Sequence, residues 1–177
     1  MKKNNSLKSI IVLVSVCLVI AVAMAAVNMI TSPKIEEANR LKEEAALSEV
    51  LPENGGFEPL DIKELPETVS AVWRDKDGEG YAFMLSAKGY DSSKPMTIAV
   101  GITNDGKITK CATVSASGET SGIGSKVAEA PFTDKFAGKD KALSGVDAIS
   151  GATISSKAYI NAVKDAFEAF KLAKEAE

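Results

Sequence analysis

The chain has 177 residues, 45% of them apolar and 25% charged, with a formal net charge of −3. That size fits one modest domain plus an appendage, and the lack of any basic run argues against a nucleic-acid partner. With no histidine and two distant cysteines, Cys17 and Cys111, most zinc, haem and iron–sulfur sites are excluded, as are Ser-His and Cys-His nucleophile pairs. No metal site is expected, and the chemistry must be largely borrowed from a cofactor.

Residues 10–30 contain no charged side chain and are dominated by Ile, Val, Leu, Met and Ala. As a helix these 21 positions reach roughly 31 Å, which matches a hydrocarbon core of about 30 Å. A transmembrane helix in contact with lipid is expected there. Lys2, Lys3 and Lys8 precede it and no acid occurs before Lys34, so the positive-inside bias leaves residues 1–9 cytoplasmic and the rest extracytoplasmic, on a single-pass anchor in the cell membrane. The exported part holds 18 basic against 24 acidic residues, a balance that favours solubility. A competing reading is a cleaved signal peptide ending near Ala23-Met24-Ala25, with the same topology. A lipoprotein reading centred on Cys17 fits less well, because Val16 stands where a small residue is required.

Beyond Pro33, residues 34–51 mix acids and bases around Ile35, Ala38, Leu41, Ala45 and Val50, a helical spacing with a narrow apolar stripe. This predicts a stalk helix. It either spaces the domain from the bilayer or packs on a neighbouring membrane protein. Pro52 ends it, and Asn54-Gly55-Gly56 forms a loop.

The domain proper begins near Glu58 with short β-like runs. Segments 69–73 and 81–87 flank Asp75-Lys76-Asp77-Gly78, a hairpin pattern. Segment 96–102 alternates Ile98, Val100 and Ile102 on one face, and Asn104-Asp105-Gly106 turns it into 108–115. Four strands should form an antiparallel sheet. The period then changes: Tyr159, Val163, Ala166, Phe167 and Phe170 fall on one side of a helix over about 154–174. The expected fold is therefore α+β, a transmembrane helix followed by an extracytoplasmic domain in which the sheet packs against helices. Trp73, Tyr81 and Phe83 are read as core or cross-strand residues, and Cys111 as a buried free thiol.

Just before the last helix lies Asp147-Ala148-Ile149-Ser150-Gly151-Ala152-Thr153-Ile154-Ser155-Ser156. Helix amino termini present unpaired N–H groups and a positive dipole end, which stabilise an anion. Gly151 and Ala152 leave room for close approach, and Thr153, Ser155 and Ser156 add hydroxyls that can bond phosphate oxygens or be esterified by phosphate. An ordinary N-cap with extra hydroxyls is the alternative.

Ser150-Gly151-Ala152-Thr153 resembles the flavinylation motif of the FMN-binding domain in the G subunit of Rnf complexes and in the C subunit of sodium-pumping NADH:quinone reductases. In that family the threonine forms a phosphoester with FMN, installed from FAD by a flavin transferase. By resemblance, Thr153 carries the flavin and Ser150, Gly151, Ala152, Ser155 and Ser156 surround its phosphate in an FMN-binding domain over 58–177. A second segment, 118–126, resembles the family's Glu-Thr-Pro-Gly-x-Gly stretch, which implies that Glu119, Thr120, Gly122, Ile123 and Gly124 approach the ring. It departs from the family at Ser121, where proline is usual, and at Ser117, where histidine is common. Gly89-Tyr90 also fits the family pattern. The chain's length suits the Rnf protein better than its longer quinone-reductase counterpart. The resemblance implies a membrane-anchored electron relay, not a stand-alone enzyme, working beside the other membrane subunits of a ferredoxin:NAD oxidoreductase. A module binding a free anionic ligand without covalent linkage and a purely structural anchor remain the alternatives.

Overall fold

The computed structural model describes residues 3–52 and 55–176. Asn54, expected in the loop after the stalk, lies outside them. The chain divides into two compact units, Met1–Leu41 and Lys42–Glu177.

The first unit is helical. Helix α1, Lys3–Val50, begins in it and contains Pro33, so the stalk expected to begin at residue 34 is not a separate element. Its described side chains from Lys8 to Ile30 are exposed, and the helix is long and apolar enough to cross a membrane. Two hydroxyls in or next to this stretch bond back to their own helix. The Ser15 hydroxyl donates to the Ile11 carbonyl at 2.8 Å and that of Thr31 to Val27 at 2.9 Å, which lipid would otherwise leave unsatisfied.

The second unit is built on one antiparallel sheet with strands in sequence order: β1 Phe57–Leu60, β2 Val69–Asp75, β3 Gly80–Ala87, β4 Met96–Thr103 and β5 Ile108–Ser115. The four expected strands are present, and β1 adds a fifth at the edge, pairing Leu60 with Val72. Pro59 is tolerated there because an edge strand has one side free of ladder bonds. The β2–β3 hairpin is fixed by Asp75, which is buried and accepts the N–H of Gly55 at 3.0 Å and of Glu79 at 3.1 Å.

Alternation along β3 and β4 divides the apolar side chains between two faces. Tyr81, Phe83, Leu85, Met96, Ile98, Val100 and Ile102 pack with helix α3, Thr153–Glu175, through Tyr159, Val163, Ala166 and Phe170. Ala82, Met84, Ala99 and Ala112 on the opposite face pack with Ala46, Leu47 and Val50 from the last turns of α1, and with Leu51. The end of the stalk is thus core of its own domain, neither a bare spacer there nor free for a neighbouring protein. Small residues make this possible: a Cβ on Gly101 would stand 2.4 Å from the Val50 carbonyl oxygen, and the Thr109 hydroxyl donates to that same oxygen, satisfying one of the carbonyls a helix end leaves open. The Lys110–Glu49 pair at 2.8 Å is half exposed and adds little.

Between β5 and α3 the chain forms a 3₁₀ turn over Gly124–Ala128, the short helix α2 over Ala130–Thr133 and a second 3₁₀ turn over Asp134–Phe136. They place Phe132 and Phe136 against Tyr159, with each pair of ring centroids 5.4 Å apart. Tyr81 and Phe83 are fully buried and Trp73 partly so, packed on the α1 side, as their reading as core residues requires. Cys111 is buried and free.

If the α1 end is docked as described, Gly101→Ala should destabilise the second unit by about 1–3 kcal/mol through overpacking and Leu47→Ala by about 2–5 kcal/mol through the cavity left. Both should appear as lowered urea midpoints. Wild-type midpoints for both would detach the helix end from the sheet.

Burial pushes the Cys111 thiol above its ordinary value of 9.0, and burial, followed by the neighbouring Cys111, raises the Tyr159 phenol. The folded state therefore holds these protons to higher pH than the unfolded chain does. Their contribution is complete below about pH 9 and is lost as pH rises above it. The urea midpoint should fall from pH 9 upward, and Cys111→Val should flatten the first part of that fall. An unchanged slope in Cys111→Val would remove the thiol from the account.

Candidate functional site

Three segments far apart in sequence meet at one cleft of about 490 Å³, lined by Tyr90, Thr120, Ile123, Gly124, Gly151, Ala152, Thr153, Ile154 and Ser155. That volume falls within the range of small-molecule and cofactor sites. One wall is the first turn of α3. Gly151 turns the chain into it with φ +82°, a backbone conformation that favours glycine. Ala152 then occupies the cap position, where no side chain accepts from the helix, and the Ser156 N–H is the first to reach a carbonyl, that of Ala152 at 2.9 Å. The first-turn N–H groups and the exposed Thr153 side chain thus adjoin the cleft, at the positive end of a helix dipole.

The other wall is the loop 118–126. Ile123 and Ser125 both donate their N–H to the Thr120 carbonyl at 3.1 Å, and the Gly122 N–H donates to Ser125 Oγ at 2.9 Å. These bonds close the turn although Ser121 stands where a proline would stiffen it. Gly122 has φ +73° and open space around a Cβ, so its glycine is demanded by backbone conformation. Gly124 is different: a Cβ there would come within 2.8 Å of Ser155 Oγ and 2.9 Å of Glu119 Oε2.

The hydroxyls expected around a phosphate occupy different surroundings. Thr153 is exposed at the cleft, but Ser155 is buried and its hydroxyl donates to Glu119 Oε2. Ser156 is fully buried and away from the lining, with its Oγ accepting the Ile149 N–H at 3.0 Å. Ser150 is exposed and outside the lining. Glu119 does not line the cleft either. It is 8% exposed, and its Oε1 accepts the Tyr90 N–H at 3.1 Å.

Gly122, expected near the ring, is outside the lining, whereas Tyr90 and Ile154 line the cleft without having been among the expected site residues. In the second unit, the large hydrophobics left exposed among the described residues are Tyr90 at 68%, Ile123 at 50% and Ile154 at 60%, and all three line this cleft. Ile154 carried a readable signal. Five residues before Tyr159, at roughly 100° per residue, it falls on the far side of α3 from the core stripe. A large apolar residue on the polar face asks for a partner.

Residues 89–168 match the FMN-binding domain family and residues 1–50 match the RnfG N-terminal region. The G subunit of the Na(+)-translocating ferredoxin:NAD(+) oxidoreductase complex of Acetobacterium woodii is 28% identical over 91% of this chain and 89% of its own length. The G subunit of an ion-translocating oxidoreductase complex is 28% identical in Methanosarcina acetivorans, over 89% of this chain and 92% of the relative. In Shewanella piezotolerans the protein of that name is 26% identical, over 92% and 88%. The anchor-like amino-terminal match, the domain match that spans both walls of the cleft and relatives aligned along nearly the whole chain agree: the chain is similar to Rnf complex G subunits over most of its length, with the FMN-binding domain match over residues 89–168.

Proposed function

We propose that this chain is the membrane-anchored FMN-carrying electron relay of an ion-translocating ferredoxin:NAD oxidoreductase, with FMN held as a phosphoester on Thr153. The observation that carries the reading is the coincidence, at one cleft, of an exposed threonine at an uncapped helix start with three exposed apolar side chains. The donor set suits the two ends of FMN separately. A phosphate needs N–H donors and a positive dipole, which the first turn of α3 supplies. A flat aromatic ring needs apolar surface and close backbone, which Tyr90, Ile123, Ile154 and Gly124 supply.

Bound there, FMN supplies one- and two-electron chemistry. The protein's part is placement. Thr153 would provide the oxygen of the ester, its hydroxyl losing its proton as a flavin transferase breaks the FAD pyrophosphate bond and AMP leaves, and the α3 amides would orient the phosphate. Ser155 is already committed to Glu119, so it shapes the wall in place of contacting phosphate. Electron donor and acceptor would belong to other subunits of the complex. The lysines before the span and the absence of acids there favour a cytoplasmic amino terminus and an extracytoplasmic domain.

Thr153→Val should abolish the flavin fluorescence of the denatured band on a gel and leave the domain folded, because one exposed hydroxyl is lost. A band of wild-type intensity would move the attachment elsewhere. Protease added outside intact spheroplasts should digest the domain and spare the amino terminus; protection of the domain until the membrane is broken would reverse the topology.

A further inference from the structure

Glu119 has no cleft surface, yet every wall of the cleft reaches it. Its Oε1 accepts the Tyr90 N–H at 3.1 Å, and its Oε2 accepts the hydroxyl of Ser155 in the first turn of α3. It belongs itself to the loop that contributes Thr120, Ile123 and Gly124. Two glycines close around the carboxylate. A Cβ on Gly89 would stand 1.8 Å from Oε1 and one on Gly124 2.9 Å from Oε2. Among the described residues no ion pair involves Glu119. A carboxylate this buried is costly unless donors satisfy it, and the donors it uses come from two other segments of the cleft.

Resting on the flavin reading above, we propose that Glu119 is a positioning residue: its carboxylate ties Tyr90 and Ser155 together and so holds Thr153 in the register at which the flavin is attached. The bond pattern makes a specific demand on substitutions. Glutamine reproduces it, with its carbonyl oxygen accepting the Tyr90 N–H and its amide donating to a Ser155 hydroxyl that turns to accept. Alanine removes both bonds. Ser155→Ala leaves the carboxylate and cuts only its link to α3.

The test uses the full-length chain in membranes, coexpressed with a flavin transferase, and reads denatured-gel flavin fluorescence per folded chain, with Thr153→Val as control. Glu119→Ala should lower the yield at least ten-fold, Ser155→Ala at least three-fold, and Glu119→Gln should stay within two-fold of wild type. Should Glu119→Ala fail to fold, Ser155→Ala decides, and a wild-type yield there overturns the proposal. So does a wild-type yield in folded Glu119→Ala, or a Glu119→Gln yield as low as that of alanine. A band lost in Thr153→Val and intact in those variants sinks the positioning role alone. A band retained in Thr153→Val sinks the attachment reading, and the positioning role falls with it.

Discussion

Strand β3 is buried at seven of its eight positions and β4 at six of eight, so the middle of this sheet cannot face water on either side. Each face needs a cover. The covers come from opposite ends of the domain sequence: the last turns of α1 with Leu51 on the alanine-rich face, and α3 on the aromatic face. That requirement also fixes the site. Once Tyr159, Val163, Phe167 and Phe170 are seated in the core, the rotation of α3 about its axis is set, and its first turn is held further by the Ser155 bond to Glu119. Thr153 must emerge where Gly151 turns the chain into the helix.

The front face of the sheet was legible because its residues are large and alternate. Ile98, Val100 and Ile102 announce a strand, and the shift to a helical period at Tyr159 announces the cover. The back face was not legible, for a physical reason. Ala82, Ala99 and Ala112 bury little area each and carry no clear apolar signal, although side by side they form the trough that accepts Leu47 and Val50. Strand β1 escaped for a similar reason: four residues with a proline give too short a period to read.

In the site, sequence spacing located the hydroxyls without locating their partners. Ser155 and Ser156 stand four and three positions before Tyr159, which puts both on the core face of α3. Thr153 stands off that face. Helical geometry alone therefore separates the exposed threonine from its two buried neighbours, and the structure gives each serine a different acceptor or donor. Glu119 could not be placed this way. Its partners, Tyr90 and Ser155, lie 29 and 36 residues distant, and no local pattern encodes a contact of that range.

The shallowness of the cleft bears on why a covalent link would be needed. Tyr90, Ile123 and Ile154 remain half or more exposed, whereas sites that rely on affinity commonly bury most of their ligand's surface. An open cleft forgoes much of that burial, so non-covalent binding has less to set against the lost freedom of the ligand. The proposed ester on Thr153 would remove the dependence on affinity: the cofactor would stay whatever the cleft leaves uncovered. The apolar rim would then be free to serve orientation and to keep one side of the ring accessible to a partner. Enclosing the ring would raise affinity at the expense of that access, and electron exchange with a partner depends on access.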